Sequence, residues 1–171
     1  MAITRLNNNS ITSITALPSA VAVASTPAFE GIYSGGGVGF TSQTMTKVQI
    51  NSEVFDTDGC YDHTTNYRFT PTTAGKYVIY GQAYGAAGTS NMYNHSTAFF
   101  KNGSIYRQGY IDLYSGTGNS GTEFFSCVIE LNGSTDYVEM YVRTHDTSGN
   151  PTYYASSVGQ ITLFGGYKLI E

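Results

Sequence analysis

Acidic and small polar residues are concentrated at two places where the chain could bind a hard cation. The first is Asp56-Thr57-Asp58-Gly59 with Asp62, and the second is Asp146 with Ser148 and Asn150. Ca²⁺ takes about six to eight oxygen ligands. In the first cluster the glycine comes too early for a calcium-binding loop, and no glutamate follows at its far end. We therefore interpret both clusters as turns and expect neither a metal nor a cofactor.

The three histidines, His63, His95 and His145, fall in segments that the sequence predicts to be separate loops. A metal trio or a pH-sensitive group would be the functional interpretation. Solvated loop histidines are commoner, and we adopt that interpretation. The sequence contains neither a Gly-x-Ser-x-Gly nucleophile motif nor a phosphate-binding glycine loop. The sequence therefore predicts a protein that is not an enzyme.

Tyrosine is the residue type best suited to ligand binding in this chain, which has 15 Tyr and no Trp. A tyrosine offers a large contact area and a hydroxyl at a small cost in side-chain entropy, and sugars bind to such surfaces. The alternative is that these tyrosines fill strands and subunit contacts. The candidates for surface ligand binding are Tyr93, Tyr110, Tyr114, Tyr153 and Tyr154.

Charge and cysteine content argue against several classes of protein. The net charge is −4 and the 8 Lys and Arg residues are scattered, so the chain lacks a basic surface for nucleic acid. Cys60 and Cys127 match no zinc-binding spacing. They are expected to be buried or half-buried thiols, although one disulfide remains possible if their strands are neighbours.

No apolar run reaches the roughly 18 residues of a membrane span, so we expect no membrane insertion. Residues 14–25 have the small-residue pattern of a signal peptide. The asparagine-rich stretch before them and Pro18 within them argue against that interpretation. We expect this segment to belong to the working protein.

The elements that must position these residues are predicted to be β-strands. Residues 66–85 hold two strand-like runs around the turn sequence TPTTAG. In the second run, Tyr77, Ile79, Gly81 and Ala83 share one face. Because the opposite face is not fully polar either, the strand is expected in the middle of a sandwich or at a subunit contact.

Further strands are separated by turn signals at intervals of about 8–12 residues. Asn102-Gly103 and Asn132-Gly133 are predicted hairpin turns. Residues 85–96 and 145–151 are predicted loops, whereas residues 122–131 and 137–144 are predicted strands. About eight to ten strands without a helix indicate an all-β fold, an antiparallel sandwich or jelly roll.

Several spaced motifs resemble the signature of C1q-like domains, in the tumour-necrosis-factor-like jelly-roll superfamily. They are Phe55, Tyr61, Tyr67-Arg68-Phe69-Thr70-Pro71 and Ala74-Gly75-Lys76-Tyr77, followed by residues 138–142 and 161–169 near the end. The resemblance covers residues 27–171. It implies a homotrimer with both termini at one end, and binding through exposed surfaces without catalysis. No collagen-like stalk precedes the domain, which departs from the family pattern.

Residues 1–26 contain no aromatic residue and are interpreted as an N-terminal anchoring arm. A disordered terminus is the alternative, because such a segment has little surface to bury on its own. The segment resembles short N-terminal segments of structural proteins of tailed bacteriophages. Its candidate anchoring residues are the apolar Ile3, Leu6, Ile11, Ile14 and Leu17.

These features together predict a non-enzymatic bacteriophage virion protein that decorates the capsid as a trimer. The expected partners are other copies of the chain and the capsid or tail proteins that the arm contacts. The alternative is the receptor- or glycan-binding tip of a tail fibre, which would use the tyrosine-rich loops.

Overall fold

The computed structural model describes residues 25–113, 118–155 and 161–170. Within those residues the chain forms strands and no helix. The strands are β1 (Ala28–Ile32), β2 (Val38–Gly39), β3 (Thr46–Lys47), β4 (Ser52–Asp56), β5 (Tyr61–Asp62), β6 (Arg68–Phe69), β7 (Gly75–Gln82), β8 (Tyr84–Ala86), β9 (Met92–Lys101), β10 (Ser104–Asp112), β11 (Ser120–Thr122), β12 (Phe125–Leu131), β13 (Val138–Asp146), β14 (Thr152–Tyr154) and β15 (Leu163–Lys168).

These strands form three antiparallel sheets. The five-stranded sheet has the order β12-β7-β15-β1-β4, and the six-stranded sheet has the order β10-β9-β13-β6-β5 with β3 paired to β13. A smaller sheet has the order β11-β8-β14-β2. Strands that are distant in sequence lie side by side, as β1 does with β15. The predicted all-β antiparallel jelly roll is confirmed.

Strand β7 follows the predicted alternation. Tyr77, Ile79 and Ala83 are fully buried and Gly81 is also buried, whereas Val78, Tyr80 and Gln82 between them are half-buried. Because β7 pairs with β12 on one side and β15 on the other, it lies inside the five-stranded sheet. The other face of this strand is therefore the outer face of the sheet.

Aromatic side chains from the two larger sheets meet in the core. The ring of Phe29 lies 4.7 Å from that of Tyr61, 4.3 Å from that of Phe69 and 5.0 Å from that of Phe164. Fully burying a side chain of this size contributes roughly 1.5–3 kcal/mol. The neighbours of Phe29 in β1 point to the outer face, because successive side chains of a strand alternate.

One of the two predicted hairpin turns is confirmed and the other is wrong. Asn102 and Gly103 have φ values of 53° and 78° and connect the paired strands β9 and β10. By contrast, β12 and β13 lie in different sheets, so Asn132-Gly133 connects the two layers of the sandwich. A Cβ on Gly133 would lie 2.2 Å from the backbone nitrogen of Ala74, so this crossing requires glycine.

The predicted loop at residues 85–96 is wrong, because it contains the end of β8 and the start of β9. The predicted loop at residues 145–151 begins two residues later than expected, because β13 continues to Asp146. The predicted strand at residues 122–131 is interrupted between β11 and β12. The polar composition of residues 85–96 caused the first error, since Asn94, His95 and Ser96 lie inside β9. Pairing with two neighbours holds that strand regardless of its own composition.

Candidate functional site

The acidic residues near β5 build turns, as the sequence predicts. The Asp62 carboxylate accepts hydrogen bonds from the backbone N–H groups of Thr64, Thr65 and Asn66. The Thr65 N–H, followed by the others, lowers the pKa of Asp62 well below its ordinary value. These oxygens already have donors, and among the described residues no group of three or more His, Cys, Asp or Glu side chains could hold a metal ion.

The second acidic cluster is organised in the same way. Asp146 is buried, and its carboxylate accepts hydrogen bonds from the Ser148 hydroxyl and from the Gly149 N–H. Of the two cysteines, Cys60 is buried and Cys127 is half-buried, and both are free thiols. The disulfide that the sequence left open is therefore not formed.

His95 is a buried strand residue, which corrects its prediction as an exposed loop histidine. Its Nε2 lies 2.8 Å from the carbonyl oxygen of Ala83, and its Nδ1 lies 2.9 Å from the Thr144 hydroxyl. Because a carbonyl only accepts, Nε2 carries the proton and donates, while Nδ1 accepts from Thr144. Burial lowers the pKa of His95 to about 4. The ring is therefore a neutral structural element at neutral pH.

The other two histidines are accessible. His63 lies in the turn between β5 and β6, where its Nδ1 is 3.4 Å from the Glu53 carboxylate. His145 belongs to β13 rather than to a loop, and its side chain is half-buried on the outer face of the six-stranded sheet. The three rings therefore occupy different environments.

A cleft of about 300 Å³ lies where the chain passes from one layer to the other. The Lys101 ammonium group in its wall donates to the Glu130 carbonyl at 2.8 Å and lies 2.9 Å from the Asp136 carboxylate. Asp136 also accepts from the Asn102 amide at 2.7 Å. These polar groups satisfy one another, and their contacts connect the turn between β9 and β10 with the turn between β12 and β13.

The outer face of the five-stranded sheet carries several exposed apolar side chains, and we call this group of residues the apolar face. Across the sheet, Val128 lies opposite Val78, which in turn lies opposite Tyr167. Val128 is 49% exposed and Phe55 on β4 is 42% exposed. Clustered exposed apolar side chains of this kind mark interaction surfaces. The apolar face comprises Ile32, Phe55, Val78, Phe124, Val128, Leu163 and Tyr167.

A single hydrogen-bonded pair occupies the centre of the apolar face. The Tyr80 hydroxyl donates to the Glu30 carboxylate at 2.9 Å, crossing the intervening strand at Gly165. A Cβ on Gly165 would lie 2.4 Å from the Tyr80 ring, so glycine lets that ring lie flat on the sheet. Burial, followed by the bond to Glu30, raises the pKa of Tyr80 well above its ordinary value. The carboxylate therefore has a partner among the apolar side chains around it.

The outer face of the six-stranded sheet is different in character. At one end it presents an aromatic and polar cluster, which we call the outer patch. Asp112 pairs with Asn94, and Asn94 pairs with His145, so these three side chains lie side by side on adjacent strands. The Tyr93 ring lies 4.9 Å from the His145 ring. The outer patch comprises Tyr93, Asn94, Tyr110, Asp112 and His145.

Four of the five candidate tyrosines lie in the described residues, and they occupy different environments. Tyr93 and Tyr110 are 37% and 51% exposed and belong to the same sheet face. Tyr154 is half-buried beside Tyr84 in the small sheet. The assignment of Tyr153 to a binding surface is wrong, because its ring is fully buried and packs 5.2 Å from that of Tyr33.

Some sequence predictions lie outside the described residues, namely Tyr114 and the five anchoring residues of the arm. Sequence reasoning also missed Asn94, Asp112 and His145 as partners of the tyrosines. The signal that could have found them is strand register, which depends on β9 beginning at Met92. In the described ranges no helix is long and apolar enough to cross a membrane.

Comparison with known proteins supports the fold alone. No family model matches the sequence, and no curated protein does either. Eiger TNF from S. frugiperda is 14% identical with a TM-score of 0.57, covering 83% of this chain and 91% of its own. Murine APRIL is 12% identical with a TM-score of 0.56, covering 83% and 98%. The globular domain of zebrafish complement 1qA protein is 16% identical with a TM-score of 0.52, covering 84% and 96%.

Proposed function

We propose that this chain is a non-catalytic, homotrimeric structural protein of a bacteriophage virion. In this proposal the jelly roll decorates the capsid and residues 1–26 fix it to the particle. The observation that carries the assembly part is the apolar face, where Phe55, Val128 and Tyr167 are 42%, 49% and 40% exposed. The attribution to a phage rests on the resemblance of the arm to N-terminal segments of tailed-phage structural proteins.

Trimer formation gives the apolar face an occupant. Each exposed apolar side chain that a neighbouring copy removes from water contributes roughly 25 cal/mol per Å² of buried surface. The Tyr80 hydroxyl, which donates to the Glu30 carboxylate, offsets part of the cost of removing that charge from water on assembly. Without this donor the Glu30 carboxylate would oppose assembly more strongly.

The arm provides the attachment in this proposal. Ile3, Leu6, Ile11, Ile14 and Leu17 are the residues assigned to contacts with capsid or tail proteins. A trimer carries three such arms, and after the first one binds, the others bind intramolecularly at a high effective concentration. Weak individual arms therefore give firm attachment only while the trimer is intact.

The test separates assembly from attachment by using three variants. Val128→Asp places a charge on the apolar face, and Ile105→Asp places one on an equally exposed position of the other large sheet. Sedimentation of the parent protein and of Ile105→Asp is expected to give three times the chain mass, whereas Val128→Asp gives the monomer mass. Deletion of residues 2–26 is expected to leave the trimer intact and abolish incorporation into particles.

Two results would overturn this proposal. A parent protein that sediments as a monomer, or a Val128→Asp variant that remains trimeric, refutes assembly through the apolar face. Normal incorporation of the arm-deleted protein refutes the anchor.

A second candidate function is the receptor-binding tip of a tail fibre. The observation that favours it is the outer patch, because exposed tyrosines beside polar side chains suit a surface ligand. Saturable binding of the purified protein to host cells would favour the tip over the decoration role. Both functions use the same trimer.

A further inference from the structure

The outer patch holds polar groups that make no hydrogen bond with the described part of the chain. Asn94 accepts from Arg143 Nη1 through its Oδ1 at 3.1 Å, and its Nδ2 makes no hydrogen bond with a described residue. The Asp112 carboxylate, the His145 ring nitrogens and the Tyr110 hydroxyl make no hydrogen bond within the described ranges. The outer patch is thus a place where donors and acceptors remain available.

A β-bulge aims one aromatic ring at these groups. His145 pairs with Asn94 and Asp146 pairs with Met92, so Tyr93 is the extra residue of β9. The bulge is held on the other side by the Leu113 N–H, which donates to the Tyr93 carbonyl at 2.7 Å. Bulges redirect a side chain from the regular pleat and are common beside functional sites. Here the redirected ring packs on His145 and remains 37% exposed.

The backbone around the outer patch is fixed before any ligand arrives. Thr147 donates its N–H to the Asn91 carbonyl at 3.0 Å, and its hydroxyl accepts from the Asn91 N–H at 3.2 Å. The Arg143 guanidinium, which orients Asn94, also donates to the Gln43 carbonyl at 3.1 Å. A rigid site loses little conformational entropy when it binds.

This combination of groups fits a saccharide. Side chains on three neighbouring strands about 5 Å apart span about 10 Å. An amide donor, a carboxylate acceptor and an imidazole match the hydroxyl groups of a sugar, each of which both donates and accepts. An exposed tyrosine ring offers an apolar face to the C–H face of the sugar ring. Arg143 is already engaged with two oxygens and Asp112 carries the opposite charge, so the surface suits a neutral ligand.

We propose that the outer patch is a binding site for a neutral, hexose-containing oligosaccharide. Tyr93 and Tyr110 contact the sugar ring, while Asn94, Asp112 and His145 bind its hydroxyl groups. Arg143 is a positioning residue that acts through Asn94. The site deepens the second candidate function and rests on it, but it does not depend on attachment to a capsid.

The test uses the full chain and an array of purified neutral and acidic oligosaccharides, followed by calorimetric titration of the best binder. The variants are Tyr93→Ala and Asn94→Ala, with Ile105→Ala as an exposed control near the other end of β10. The parent protein and the control are expected to bind one or more neutral oligosaccharides with equal affinity. Loss of the aromatic contact or of the amide is expected to weaken binding about tenfold in each variant.

Three results overturn the proposal: no binding to any member of the array, binding only to acidic members, or affinity unchanged in both variants. Each variant is expected to unfold at the same temperature as the parent protein, so that a change in binding reflects the missing side chain and not a lost fold. If sugar binding is refuted, the proposed capsid decoration still stands, because the Tyr93→Ala trimer is expected to be incorporated into particles. Conversely, deletion of the arm is expected to abolish incorporation into particles without changing the affinity of the free protein for the sugar.

Discussion

Acidification from about pH 7.5 to about pH 5 is expected to destabilise the folded chain through His95. The ring is fully buried, and both of its nitrogens are used by Ala83 and Thr144 in the neutral state. Protonating Nδ1 would replace its acceptor role with a donor and place a charge in the core. The folded state therefore resists protonation, whereas the unfolded chain does not.

The magnitude follows from the two pKa values. Burial lowers the pKa of His95 to about 4 from the ordinary 6.5. Because the unfolded state binds the proton first, the stability from the neutral ring is complete above about pH 6.5 and falls until the folded state also protonates near pH 4. At about 1.4 kcal/mol per pKa unit, the full loss is about 3 kcal/mol, of which about 2 kcal/mol is gone at pH 5.

Urea unfolding at fixed protein concentration and several pH values measures this dependence. The parent protein and the variants His63→Gln and His145→Gln are expected to lose about 2 kcal/mol of unfolding free energy over this range. His95→Gln is expected to be less stable at neutral pH and to lose much less on acidification. A flat profile in the parent, or the same slope in His95→Gln, would refute the assignment. Asp62 does not interfere, because its lowered pKa makes its contribution fall only at more acidic pH.

Two further substitutions test the packing around the site elements by urea unfolding. Gly85→Ala places a Cβ 2.5 Å from the His95 ring and is expected to cost about 1–3 kcal/mol, whereas Gly39→Ala, with open space at its Cβ position, should change stability by less than about 0.5 kcal/mol. Equal effects would contradict the steric explanation. Lys47→Met removes the cation 2.5 Å from the buried Glu139 carboxylate and is expected to cost about 2 kcal/mol. The double variant with Glu139→Gln should recover part of that loss, and no recovery would show that the pair is not coupled.

Local chemistry predicted much of the framework. The alternation around Tyr77 and Ile79 could be predicted because it depends only on the two-residue period of a strand. The Asn102-Gly103 turn could be predicted because both of its residues adopt positive φ. The start of β9 could not be predicted from the sequence. Its first residues are polar, and they form a strand because β10 and β13 pair with them on either side. Asn132-Gly133 shows the same limit, because a turn signal does not specify which sheet the next strand joins.

The sequence by itself determined an all-β jelly roll, its acidic turns and the tyrosine-rich composition of its surface. These follow from backbone preferences and hydrophobic periodicity, which act over a few residues. Only the tertiary structure decided that Tyr153 is a core residue while Tyr93 and Tyr110 share an exposed sheet face. It also decided that His95 is enclosed and His145 accessible. Register between strands distant in sequence sets these outcomes, because shifting a strand by one residue exchanges its inner and outer faces.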